Sequence, residues 1–170
     1  HQCMIKRPII AVRNAVATDF ARIVELNAEA VRHTSVMDVQ RLQNLHALSS
    51  YHKVATIDGA VAAFLLAMRE NAPYPNDNYG WFAARYGKFV YVDRIVVDPA
   101  SAGLKLGTLL YEDLFEYARA QSIPTLTCEY NIEPPNEPSR RFHEKFGFSE
   151  VGTQWLDGGL KRVSLQAATP

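Results

Sequence analysis

Three side chains and one loop have the residue types and spacing to do chemistry. His143 shares a helical face with Ser139 and Phe146, one turn from each. Its imidazole, with an ordinary pKa of about 6.5, can hold or release a proton near neutrality. Asp93 sits in an otherwise apolar strand pattern and alternates onto the face of Ile95 and Val97. A carboxylate there must be paired, hydrated or functional, because burying an unpaired charge is costly. It either accepts a proton through a water or pairs with an arginine for structure. Glu129, on the next strand, is the substitute base. The loop is Ala102-Gly103-Leu104-Lys105-Leu106-Gly107, a small-residue turn that opens a helix. The first amides of a helix lack intrahelical partners and sit at the positive end of its dipole, so they bind phosphate oxygens. Glycine at 103 and 107 lets a ligand approach the main chain without meeting a Cβ. The plainer alternative is a tight strand-to-helix connection.

The elements that hold these residues are legible. Phe89, Tyr91, Asp93, Ile95 and Val97 alternate with Val90, Val92, Arg94 and Val96, which predicts a strand. Asp98-Pro99 ends it, since proline has no amide proton to donate. Leu106, Leu109, Leu110, Leu114, Tyr117 and Ala118 then recur at helical spacing. Leu126, Cys128 and Tyr130 alternate with Thr127 and Glu129 in a following strand. Asn136 can cap a helix that buries Phe142 and Phe146 and closes at Gly147. Upstream, an apolar strand at 9–12 precedes a helix from about Ala17 to Val31 and a second helix through Val36, Val39, Leu42, Leu45 and Leu48. Between them His33, Ser35 and Asp38 read as caps and solvated turn residues. Asp58-Gly59 joins two strands as a hairpin. Another hairpin turns at Asp157-Gly158-Gly159. The stretch from Tyr74 to Tyr91 is a long loop rich in aromatics, which fits an acceptor pocket, a subunit interface or core cover.

Composition narrows the class. The chain has 170 residues, 48% of them hydrophobic, with 18 basic against 18 acidic. That predicts one globular domain burying on the order of 70% of its unfolded-chain surface. Balanced charge leaves no electrostatic footprint for nucleic acid or an anionic membrane. No apolar run approaches the roughly 20 residues of a membrane span. His1-Gln2-Cys3 ahead of Met4 reads as a remnant before the natural start, so the expected domain is 4–170 and Cys128 is its one native cysteine. A structural disulfide is not expected, and the cytoplasm is the default compartment. The absence of HExxH and of paired CxxC leaves no metal or redox cofactor expected.

The strand, the Val97-Asp98-Pro99-Ala100 turn and the glycine-opened helix together resemble the acetyl-coenzyme-A motif of the GNAT acetyltransferases. Asn136-Glu-Pro-Ser139-Arg-Arg-Phe142-His143-Glu-Lys-Phe146-Gly147-Phe148 is similar to the family's N-x-x-A-x-x-hydrophobic-Tyr-x-x-x-G-F helix. Ala102 and Lys105 stand where the family's pyrophosphate loop has Gln or Arg and its middle glycine, and His143 stands where a tyrosine is usual. The resemblance implies an α/β fold, a single domain with a mixed, mostly antiparallel sheet flanked by helices. It implies acetyl transfer from acetyl-coenzyme A to the amine of a small molecule, amino acid or peptide, with no metal. It puts pantetheine contacts at Ile95 and Val97, and pyrophosphate contacts on the amides of Gly103, Leu104, Lys105, Gly107 and Thr108. Asn136 would bond the pantetheine or shape the thioester pocket. The resemblance also puts the first two helices beside the acceptor site, where His33, Ser35 and Asp38 would touch substrate if they are more than caps.

Acetyl transfer needs a neutral amine, donors for the thioester oxygen and, usefully, an acid for the departing thiolate. By resemblance His143 faces the coenzyme sulfur, and its cationic form would be that acid if Glu129, Asp93 or Glu144 raises its pKa. The bland role is a histidine on a helix flank. Catalysis therefore falls to His143, Asp93 and Glu129. The alternative from another class is a GNAT-fold module that binds acyl-coenzyme A without turnover. A homodimer through the aromatic segment is a further expectation.

Overall fold

In the computed structural model, which describes residues 6–31, 34–133 and 135–170, seven strands form one sheet in the order β1-β2-β3-β4-β5-β7-β6. The strands are β1 (Ile10–Asn14), β2 (Tyr51–Ile57), β3 (Ala60–Arg69), β4 (Val90–Val97), β5 (Leu126–Glu133), β6 (Ser149–Leu156) and β7 (Lys161–Ala168). Every neighbouring pair is antiparallel except β4 and β5. The helices are α1 (Phe20–Glu29), α2 (Val39–Leu48), α3 (Asp77–Ala83), α4 (Leu106–Ala120) and α5 (Glu137–Lys145). Helix α3 falls inside the stretch expected to be loop. Among the described residues no helix is long and apolar enough to cross a membrane.

Asp58 and Gly59 both take positive φ, 50° and 84°, which gives the two-residue hairpin the twist its strands need. The sheet separates two apolar cores. On one face Phe20, Ile23 and Leu26 of α1, Leu42 and Leu45 of α2 and Tyr79 and Phe82 of α3 pack on Phe64, Leu66 and Tyr91. On the other, Leu106, Leu110, Tyr111 and Leu114 of α4 pack on Leu65, Ala67, Val90 and Val92, with Phe142 and Phe146 of α5 against them.

The regular alternation expected along β4 breaks at Asp93. Arg94 pairs with Leu66 and Val92 with Ala67, so Asp93 is an extra residue facing no partner on β3. Such a bulge shifts the phase of the pleat by one position. Phe89, Tyr91 and Val96 accordingly lie in the α1–α3 core, whereas Val90, Val92, Ile95 and Val97 pack on the α4 side. Asp93 therefore does not share a face with Ile95 and Val97. It meets Tyr74 of the opposite core, whose hydroxyl donates to Asp93 Oδ1 at 2.5 Å. Adjacent residues of a regular strand point to opposite faces. Across the bulge Arg94 Nε instead reaches Asp93 Oδ2 at 2.7 Å.

Candidate active site

Strands β4 and β5 pair only at Val90↔Leu126 and Tyr91↔Thr127. Beyond that point both strands continue but diverge, and the gap opens into a cavity of about 890 Å³. The Asp98 amide donates to Ala62 of β3 at 2.8 Å. Main-chain groups alternate sides along a strand, so those of Val97 and Ile95 point the other way, into the gap. Two unpaired strand edges thus face each other across a space that an extended molecule fits.

The glycine-bearing loop lies at one end of this cavity. Asp98 caps a short 3-10 turn over Pro99–Ser101 through the Ala100 amide. Gly103 takes φ 90°, and Lys105 takes φ 58°, ψ 36°, the left-handed conformation that glycine adopts without strain. Helix α4 bonds internally from Leu109, whose amide donates to Lys105 O at 3.1 Å. Among the described residues the amides of Gly103, Lys105, Leu106, Gly107 and Thr108 have no backbone acceptor, whereas that of Leu104 donates to Ser101 O at 3.3 Å. The loop presents a row of free donors at a helix N-terminus, which suits a phosphate. Gly107 has a packing role as well. A Cβ there would lie 3.3 Å from Phe142 and 3.6 Å from Val97, so this glycine lets α4 close on α5 and β4.

Asn136 is the N-cap of α5, its Oδ1 accepting from the Ser139 amide at 3.4 Å, and it also lines the cavity. His143 is buried between α5 and α4. Its Nδ1 lies 2.7 Å from the Ser139 carbonyl, which only accepts, so Nδ1 carries the proton. The bare Nε2 then accepts from the Tyr111 hydroxyl at 2.6 Å. Burial lowers the imidazole pKa, partly opposed by the Ser139 carbonyl. None of the three carboxylates considered as its partner is bonded to it; the cationic form invoked from sequence is disfavoured.

Glu129 stands where the strands part. Its Oε1 accepts from the Tyr91 hydroxyl at 2.9 Å, and its Oε2 is buried with no partner among the described residues. Burial pushes the carboxyl up to about 8, against the Tyr91 hydroxyl; the nearby Asp93 charge adds to the rise, while the Asn78 side chain and the Lys161 charge oppose it. Asp93 lacks such freedom: Tyr74 and Arg94 occupy its two oxygens. Arg94 in turn bonds Asn27 Oδ1 at 3.0 Å and the Ser35 hydroxyl at 2.9 Å, tying β4 to α1 and the α1–α2 connection. Asp38 caps α2 through the Arg41 amide. His33 lies outside the described residues.

The expected site residues gather at one cleft with one exception. Ile95, Val97, Gly103, Lys105, Gly107, Thr108, Asn136, His143, Asp93 and Glu129 line it together, and Leu104 does not. Tyr74, at the head of the aromatic stretch offered as a pocket, lines it too, as do Tyr91 and Tyr111, to which sequence reasoning gave no site role. Tyr111 had a signal, since it follows Gly107 by one turn on the buried face of α4. The bond from Tyr91 to Glu129 had none, because it joins residues distant in sequence. The aromatic stretch divides: Tyr79, Phe82 and Phe89 are core, while Tyr74 to Asn78 face the cleft. Among the described residues no group of three His, Cys, Asp or Glu side chains could hold a metal ion.

Residues 17–148 match the acetyltransferase (GNAT) family. The chain belongs to that family. A phosphinothricin N-acetyltransferase of Streptomyces coelicolor is 39% identical over 59 residues, which are 35% of this chain and 33% of that protein. That match thus spans about a third of the relative's length. The fold is shared more widely. Ard1 of Thermoplasma volcanium superposes with a TM-score of 0.77 at 14% identity, over 94% of this chain and 97% of that one. A Salmonella typhimurium protein solved with its cofactor acetyl-CoA superposes with a TM-score of 0.70 at 19% identity, over 95% and 94% of the two chains. The GNAT fold binds acetyl-CoA.

Proposed function

We propose that the protein transfers the acetyl group of acetyl-coenzyme A to an amine by direct attack on the thioester. The observation that carries this is the uncommitted, buried Oε2 of Glu129 at the point where β4 and β5 separate. The pantetheine arm lies along the free edge of Ile95 and Val97. The pyrophosphate lies on the amides of Gly103, Lys105, Gly107 and Thr108, with the Lys105 ammonium as a point charge. The Leu104 amide joins them by giving up its bond to Ser101, and Asn136 bounds the thioester end.

Glu129 takes a proton from the amine as nitrogen attacks the carbonyl carbon, and the carbon–sulfur bond then breaks to release the thiolate. A carboxyl near 8 loses less driving force in this than one at its ordinary value, because its basicity is closer to that of an amine. Asp93 is held by Tyr74 and Arg94 and fixes the bulge. His143, with both ring nitrogens engaged, positions α5 against α4. The reading assigns the enzyme to the cytoplasm, where acetyl-coenzyme A and amines meet.

The test is thiol release from acetyl-coenzyme A with a panel of primary amines, repeated with Glu129→Gln. Release that depends on an amine and collapses in the variant supports the proposal. Coenzyme A binding without release on any amine favours the non-catalytic module instead.

A further inference from the structure

Strands β3 and β4 are antiparallel neighbours that a tight turn could join, yet the chain spends residues 70–89 on the connection. The surplus forms α3 and its flanks, and it is laid across the sheet. Phe82 packs on Tyr91 of β4 with ring centroids 5.9 Å apart. Its neighbour Trp81 sits on Gly152 of β6, where a Cβ would fall 2.4 Å from the indole. Gln154 of β6 donates to Asn78 at 3.1 Å. Val163 and Leu165 of β7 belong to the same core. Helix α3 therefore covers the half of the sheet that α1 and α2 leave open, with its first turn beside Glu129. The remaining walls are Ser35 and Arg41 from the α1–α2 region and Leu156 and Lys161 from the β6–β7 turn.

We infer that the bridge from α3 to β6 makes the acceptor end of the cleft a blind pocket, which admits a small free amine and excludes the amine of a polypeptide. This rests on the acetyl-transfer reading above. A polypeptide acceptor needs a groove through which its chain continues past the reacting amine, and here that path meets Asn78, which lines the cavity and is held from behind by Gln154, with Trp81 seated on Gly152. Space points the same way. Pockets of roughly 300–1,000 Å³ hold one drug-sized ligand, and the 890 Å³ here must take the pantetheine arm as well as the acceptor. The rim carries both signs, Arg41 and Lys161 with Asp77 and Asp157, so size rather than charge does the selecting.

Two measurements test this separately from the transfer reaction. With Trp155→Phe, Trp81 is the sole tryptophan. A closed bridge shields it, so acrylamide should quench its fluorescence several-fold less than free tryptophan, and equal quenching overturns the inference. With acetyl-coenzyme A as donor, free amino acids and alkylamines are compared with tetrapeptides bearing a free N-terminus or a lysine. The expected kcat/KM for peptides is at least a hundredfold lower, and Gln154→Ala and Trp81→Ala should each narrow that ratio. Peptides accepted as well as small amines overturn it. If no probe releases thiol, the transfer reading fails, and the pocket's closure is then judged on Trp81 alone.

Discussion

The Tyr111 hydroxyl donates to His143 Nε2 across 2.6 Å, and the opposite ring nitrogen is held by the Ser139 carbonyl. An imidazole used on both sides and held neutral by burial has no proton to give a thiolate at physiological pH. His143→Phe should therefore leave the pH profile of turnover unmoved. It strands a buried phenol, which costs about 1–3 kcal/mol, so urea unfolding should show that loss. A profile whose alkaline limb disappears in the variant would return His143 to the role of acid.

Glu129 makes the opposite prediction. The base must be ionised, so kcat/KM should rise with pH through about 8 and level off above it. Glu129→Gln should lose that limb and on the order of a hundredfold or more in rate. Stability gives an independent reading. The folded carboxyl sits at about 8 against 4.5 unfolded, so its contribution is present below 4.5 and lost as pH rises toward 8. The ceiling on that loss is about 5 kcal/mol. The glutamine variant should flatten the decline between those pH values, and an unchanged curve would mean that water reaches the carboxyl.

Lys105 carries a left-handed backbone in the loop that opens α4. A side chain there costs roughly 1–2 kcal/mol that glycine does not incur. Lys105→Ala and Lys105→Gly both remove the ammonium, so their difference isolates the backbone. Glycine should be the more stable of the two by about 1 kcal/mol, after allowance for its freer unfolded chain. Both should weaken coenzyme A binding to a similar degree in calorimetry. Full affinity in both would show that the ammonium makes no contact with phosphate.

Much of this was legible in sequence because it is local. The hairpin at Asp58-Gly59, the cap at Asn136 and the face of α4 follow from residue type and spacing alone. What was not legible depends on partners far along the chain. The bulge at Asp93 is defined by its register against Leu66 and Ala67, which no property of β4 itself reveals. The same holds for the proton on His143, set by Tyr111 and Ser139, and for Gly107, whose missing side chain makes room for Phe142. Helix α3 is short, and its apolar residues are aromatics scattered among Pro, Asn and Gly, so its period does not stand out.

Away from the cleft, His52 makes the fold acid-sensitive. Its Nδ1 lies 2.8 Å from His46 Nδ1, its Nε2 is buried without a partner among the described residues, and Phe20 and Phe64 flank the ring. Only one of two facing nitrogens can carry a proton, so charging both rings breaks the bond. Burial above all, then the neighbouring His46, pushes His52 down to about 4, while Asp19 pulls weakly the other way. With 6.5 in the unfolded chain and about 4 in the folded one, the stabilising contribution is complete above 6.5 and lost as pH falls toward 4. At pH 5 the loss is about 2 kcal/mol. His143, shifted in the same direction, adds to it. His52→Phe keeps an aromatic ring between Phe20 and Phe64, and His46 is exposed enough to be hydrated in its place. The melting temperature of the variant should then fall less between pH 7 and pH 5 than that of the parent, by several degrees in a chain of this size. Equal slopes would mean that His52 is already protonated or hydrated in the native state.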